Sequence, residues 1–240
     1  MLLDKKGNNP ALAVGYLFKG LKLLASTQLR TFVIIPVLIN IVLYSAALLL
    51  AYYYISDLID QFIPAWLHWL NWILWPLFFI SFFIAGFFTF TVLANLLAAP
   101  FYGKLSAKTL AVITGQTGAV AEQPLAIVIF AEVKRVGYLL SRALPLLILS
   151  IIPGLNVLAP LLWALFGAWG MALEYMAYPL ENAGVLFSEQ KKIVRSIRLG
   201  ALSFGGVAAL GLTIPVLNII VAPAAVIGAT IYFNEVKKEG

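Results

Sequence analysis

The chain has 240 residues, 62% of them hydrophobic and only 11% charged, with 16 Lys and Arg against 10 Asp and Glu and a net charge of +6. Soluble domains carry roughly 25% charged residues, so this balance excludes a soluble globular domain and describes an integral membrane protein. There is no cysteine and a single histidine, His68, which excludes disulfides, thiolate metal ligands and cysteine nucleophiles and leaves no zinc site. No metal and no cofactor are expected, and the basic excess is read as membrane topology, with no nucleic-acid partner.

Four stretches without Asp, Glu, Lys or Arg, at 31–56, 61–103, 143–173 and 199–234, each exceed the about 20 residues that one span needs. The expected fold is an all-α single membrane domain over 1–240. Its N-terminal stretch, with Asp4, Lys5 and Lys6, lacks the apolar core and small-residue cleavage site of a removable signal peptide. Residues 10–25 are expected to form an interfacial amphipathic helix, with Lys19 and Lys22 among Leu12, Tyr16, Leu17, Phe18 and Leu21, lying against membrane lipids. Residues 28–56 follow as the first transmembrane helix, and residues 68–112 as a second, longer one. Trp66, Trp69, Trp72 and Trp75 recur every third residue at its outer end, as in an aromatic belt.

The rest of the chain contains a repeat. Ile152-Pro-Gly-Leu-Asn156-Val-Leu-Ala-Pro160 is echoed by Ile214-Pro-Val-Leu-Asn218-Ile-Ile-Val-Ala-Pro223, and each copy interrupts a long uncharged stretch. The region 124–182 is therefore expected to form a first helical hairpin and 199–234 a second, separated by an amphipathic segment at 188–198 with Lys191, Lys192, Arg195 and Arg198. Segment 143–152 reaches only about 15 Å and 199–214 about 24 Å, against a roughly 30 Å hydrocarbon core, so both hairpins read as re-entrant, partially inserted elements. The charges agree. Lys and Arg cluster at 5–30, 104–142, 191–198 and 237–238, while Asp57 and Asp60 stand in a connection without basic residues. The positive-inside rule then places both termini in the cytoplasm and only the 57–68 connection outside.

Three groups of residues could meet a solute. Asn156 and Asn218 follow the helix breakers, where an Asn caps the next helix and helix N-termini favour anions; capping alone explains an Asn after Pro and is the plainer reading. The loop Ser26-Thr-Gln-Leu-Arg30-Thr31 sets one guanidinium among three hydroxyls at a helix start, a chemistry suited to a tetrahedral oxyanion. An Arg snorkelling to the headgroups is the plainer alternative. Lys104 and Lys108, four apart on one helix face, could extend a positive vestibule or serve only as positive-inside residues. No Walker loop and no pair of intramembrane carboxylates is present, so an enzyme is not expected.

Gln28-Leu-Arg30-Thr-Phe-Val-Ile-Ile-Pro36 with Asn40, Leu93-Ala-Asn95-Leu-Leu-Ala-Ala-Pro100-Phe, Glu174-Tyr-Met-Ala-Tyr178-Pro179-Leu-Glu-Asn182 and the two breaks together resemble the CysZ family of bacterial sulfate permeases, related to EI24-like membrane proteins. The resemblance implies two long spanning helices with two pairs of partly inserted helices, and inward sulfate movement across the bacterial inner membrane for cysteine biosynthesis. It also implies homo-oligomers built from dimers of inverted topology, against which this chain's one-sided charge distribution stands. It assigns sulfate binding to the loop before the first span, here Gln28, Leu29, Arg30 and Thr31. Arg30 matches the first of the family's two arginines and Thr31 replaces the second. The alternative function is a membrane scaffold or assembly factor without transport. A lipid-modifying enzyme would need the cluster Glu174, Tyr175, Tyr178 and Glu181.

Overall fold

A computed structural model describes residues 3–62, 69–115, 125–214 and 217–237. Trp66 and His68, and the side chains of Asn40 and Asn95, lie outside the described residues. Among the described residues eight α-helices follow in order: α1 (Pro10–Leu24), α2 (Thr31–Phe62), α3 (Asn71–Thr114), α4 (Leu125–Ile151), α5 (Ala159–Asn182), α6 (Phe187–Ser196), α7 (Arg198–Leu212) and α8 (Leu217–Val236). They divide into two compact units, Met1–Thr31 with Phe101–Gly240, and Phe32–Pro100.

The second unit holds most of α2 and the first part of α3. The apolar stretch Thr31–Asp57 has 27 residues and none of its most apolar window is buried by protein. At 1.5 Å per residue it spans about 40 Å, enough to cross a bilayer. Leu38, Val42, Leu50, Tyr53 and Tyr54 are all more than half exposed, an arrangement that lipid satisfies and water does not. α2 and α3 touch where the rings of Tyr52 and Trp75 lie 4.9 Å apart. Trp69 and Trp72 are also largely exposed, as amphipathic rings at a membrane surface would be.

The first unit is built around α8. This helix is apolar on every side, with Ala224, Ala225, Val226, Ile227 and Ala229 fully buried, and such a helix needs protein or lipid all round it. α1, α5 and α7 supply the protein. The crossing of α1 on α8 is made by glycine: a Cβ at Gly20 would meet the Ala224 carbonyl and, at 2.7 Å, the Gly228 nitrogen. One at Gly228 would lie 2.7 Å from the Tyr16 carbonyl oxygen. Beside this contact Tyr16 and Tyr232 stack, centroids 4.8 Å apart, and the Tyr232 hydroxyl donates to the Gly7 carbonyl. Burial first, then the Glu235 carboxylate, push the Tyr16 hydroxyl up to about 12. α7 crosses α5 in the same way, because a Cβ at Gly205 would strike the Ala168 carbonyl. Small residues at both crossings let backbones approach closely, which is how helices associate when lipid removes the usual hydrophobic drive.

The region read as an interfacial helix is thus a packed one. α1 buries Ala13, Tyr16, Leu17, Gly20 and Leu24 against the first unit while Leu12 and Phe18 remain exposed. The uncharged segment 143–152 falls in the last part of α4, a single helix of 27 residues that includes Arg135 and Arg142. The helix runs on through Pro145, whose missing N–H removes one rung of the hydrogen-bond ladder without ending it. The turn after it uses Gly154 at φ +85°, a conformation natural to glycine, and α5 returns alongside, with Trp163 Nε1 donating to Ser150 Oγ at 3.0 Å. The two copies of the repeat differ in use. Pro160 stands in the first turn of α5, where its missing N–H is no loss, whereas Pro223 is buried inside α8. α6 and α7 meet at Ile197 with a bend of 103°.

Asn156–Asn182 and Leu217–Val236 are also long and apolar enough to cross a membrane. Gly20→Val and Gly228→Val should each lower stability by about 3 kcal/mol or more, because the added side chain meets backbone that cannot yield. Gly15→Ala is the control, with nothing within 4 Å of its new Cβ and an expected gain of about 0.5–1 kcal/mol. Thermal unfolding in detergent reads all three.

Candidate functional site

The loop between α1 and α2 is a doubled turn. Ser26 N–H donates to the Leu23 carbonyl at 3.0 Å, and the Ser26 carbonyl accepts from both Leu29 N–H at 3.1 Å and Arg30 N–H at 3.0 Å. Leu29 is fully buried and acts as the anchor, which leaves Thr27, Gln28, Arg30 and Thr31 exposed around it. Leu29 therefore holds the loop in place through packing, and its own side chain is turned away from solvent. The Ser26 Oγ is buried without a hydrogen-bond partner, and an unpaired buried hydroxyl retains its full capacity to donate. Among the described residues no carboxylate pairs with Arg30. Thr31 is the first residue of α2, so its hydroxyl follows the guanidinium directly in the chain. Together the loop residues offer positive charge and hydroxyl donors, both of which stabilise an anion.

Lys104 and Lys108 are exposed on α3, while the adjacent Leu105, Ser106 and Thr109 are buried. That buried face is fastened to α8 by a Ser106 Oγ to Thr230 Oγ1 hydrogen bond of 2.9 Å, and to α5 through Asn182 Nδ2 donating to the Gly103 carbonyl at 3.0 Å. The two lysines therefore stand on a fixed helix face. No ion pair or hydrogen bond joins them to Arg30 among the described residues.

The hairpin asparagines do not cap their helices as expected. Asn156 begins a 3-10 turn, Asn156–Leu158, and α5 starts after Leu158 without any side-chain cap. The turn itself satisfies the backbone there, with Asn156 N–H donating to Ile152 O and Leu158 N–H to Leu155 O, both at 3.0 Å. Asn218 is the second residue of α8, and its N–H is taken by the Ile214 carbonyl at 3.1 Å. Both side chains are exposed, each among exposed apolar neighbours such as Val157 and Leu158, or Leu217 and Ile219. Among the described residues neither side-chain amide makes a hydrogen bond.

A family model described as "Sulfate transporter CysZ/Etoposide-induced protein 2.4", EI24, matches residues 16–223. The chain belongs to the EI24 family. The loop at 26–31 and both hairpin breaks fall inside the matched residues. Among curated relatives, "Sulfate transporter CysZ" of Pseudomonas syringae pv. tomato is 44% identical over 91% of this chain and 90% of its own length. The protein of the same name from Pseudomonas aeruginosa is 39% identical over 94% of both chains, and that of Pectobacterium atrosepticum 38% identical over 90% of this chain and 82% of its own.

This EI24-family chain also carries a polar cluster that the sequence showed only in part. Arg135 of α4 is buried, yet its Nη2 lies 2.7 Å from Glu181 Oε1, and its Nη1 3.7 Å from Glu174 Oε2. Gln190 of α6 joins them, accepting from Arg135 Nη2 at 3.3 Å and donating to the Val185 carbonyl at 2.8 Å. Tyr178 donates to Glu174 Oε1 at 3.2 Å. Glu174, Tyr178 and Glu181, noted as a clustered group in the sequence, are thus held by a cation contributed from another helix. The spacing of Glu174 and Glu181, two helical turns apart on one face, was visible; the identity of their partner was not. Arg135 ties α4, α5 and α6 together. Removing a partner from a buried ion costs more than removing the ion, so Glu181→Ala should lower the unfolding temperature more than Arg135→Met does. Thermal melts of the two purified variants test this order.

Proposed function

We propose that this chain is a sulfate permease of the bacterial inner membrane, carrying sulfate inward for assimilation into cysteine. The observation that carries the reading is the exposed Arg30, held by the buried Leu29 at the start of the apolar helix α2, in a chain whose family description and curated relatives name sulfate transporters. Arg30, with the hydroxyls of Ser26, Thr27 and Thr31 and the amide of Gln28, captures the anion. A guanidinium presents several fixed donors and is always charged, which matches a tetrahedral dianion better than a point charge would.

α2 and α3 are the two crossings in this reading, and the pairs α4–α5 and α7–α8 enter and return on the cytoplasmic side. Two features support it. α7, with 15 residues, reaches about 22 Å and falls short of a roughly 30 Å core, and the Lys and Arg of 104–142, 191–198 and 237–238 then all stay inside. α6 lies along the surface and the 103° bend at Ile197 turns α7 into the membrane. Asn156 and Asn218 stand at the hairpin tips, where non-helical backbone must face protein or water, and line the path. Lys104 and Lys108 form its cytoplasmic vestibule. Homo-oligomers complete the pathway.

Sulfate carries two negative charges, so inward movement against an inside-negative potential costs about 4.6 kcal/mol per 100 mV, twice the figure for one charge. Uptake therefore draws on a steep inward gradient maintained by consumption. Labelled sulfate flux into liposomes should saturate, slow when the potential is set negative inside, and fall to background in Arg30→Ala. Wild-type flux equal to that of empty liposomes would overturn the reading. Thr31→Arg adds a second charged donor and should lower the half-saturating sulfate concentration about tenfold, as expected for one hydrogen bond to a charged group.

A further inference from the structure

An open groove of about 510 Å³ lies on the first unit between the C-terminal ends of α1, α3 and α8. Its apolar lining is Leu23, Ile113 and Ile231, one residue from each helix, and its polar lining is Lys19, Lys22, Asn234 and Glu235. The charges are not equivalent. Lys19 is committed, with Nζ 2.9 Å from Glu235 Oε1 and 4.9 Å from the centroid of the Tyr16 ring. Lys22 is exposed and pairs with no carboxylate among the described residues. Two lysines less one glutamate leave the groove with one net positive charge.

We propose that this groove binds one anionic phospholipid, with the headgroup phosphodiester on Lys22 and Asn234 and the upper acyl chain along Leu23, Ile113 and Ile231. Three features select this occupant. A single net positive charge complements the single negative charge of a phosphodiester, whereas a free dianion would meet the Glu235 carboxylate and gain nothing from apolar walls. The mixture of apolar floor and cationic rim suits an amphiphile, as in other basic pockets between membrane helices. The groove also sits at the C-terminal end of α8, where the apolar stretch of that helix gives way to Asn234 and Glu235, so its rim falls where hydrocarbon gives way to headgroups. The consequence is structural. A lipid seated there bridges α1 to α8 beside the Gly20–Gly228 crossing. The inference stands independently of the sulfate reading.

Native mass spectrometry of the full-length, delipidated protein in detergent provides the test, with phosphatidylglycerol and phosphatidylethanolamine of identical chains added in equal amounts. Wild type should retain phosphatidylglycerol in preference. That preference should fall about fivefold in Lys22→Ala and about thirtyfold in Lys22→Glu, from loss and reversal of one charge near a lipid phosphate. Ile113→Trp, which fills the groove without changing charge, should reduce retention of both lipids. Lys192→Ala, a basic change on α6 outside the groove, should leave the preference intact. Equal retention of the two lipids by wild type, no effect of Lys22→Glu, or an equal drop in Lys192→Ala would overturn the proposal. Displacement of phosphatidylglycerol by millimolar inorganic sulfate would also overturn it, reassigning the groove to a small anion.

Discussion

Backbone-to-backbone contact at glycine is the interaction on which the first unit depends. Gly20 against Gly228, and Gly205 against Ala168 and Ala172, bring α1 to α8 and α7 to α5 at a separation no larger residue permits. Helices in lipid gain little from burying apolar surface, because the surroundings are equally apolar, so close packing and polar fastenings must hold them. The fastenings cluster near these crossings. Tyr232 bonds the Gly7 carbonyl, Asp4 N–H donates to the Val236 carbonyl at 2.8 Å, and Ser106 meets Thr230. Chain ends far apart in sequence are thereby joined, and α8, the most buried helix, becomes the post to which α1, α5 and α7 attach.

That frame holds the Arg30 loop in place. The loop follows a helix packed against α8, and Leu29 is buried at its far end. The exposed tips at Asn156 and Asn218 have the opposite character. They set an exposed amide among exposed apolar side chains.

Charge is distributed to match. Arg135 is the one strongly buried cation among the described residues, and it is held by two carboxylates and Gln190. The other described lysines and arginines stay partly or wholly exposed and so keep their hydration. Burying a cation is tolerable only with such partners, and the cluster gives the α4–α5 hairpin and the amphipathic α6 a common fastening point. Exposed positive charge is thereby left at Arg30, Lys22, Lys104 and Lys108.

The sequence by itself determined the membrane class, the helical content, the two breaks and the loop that carries Arg30, because each follows from local properties: uncharged length, helix breakers and the sign of charge along the chain. It also marked Glu174 and Glu181 as members of one cluster. It could not show that α1 is a packed helix, that α4 runs unbroken from Leu125 to Ile151, or that Asn156 leaves its helix uncapped, because those depend on what lies opposite each residue in space. Gly20 and Gly228 look like any other glycines until they meet. Arg135 looks like one more positive-inside residue until α5 and α6 close over it. Periodicity and charge report which face of a helix is apolar and which side of the membrane it favours, whereas the partner of a face, and so the packing that holds Leu29 and presents Arg30, is decided only when distant segments are brought together.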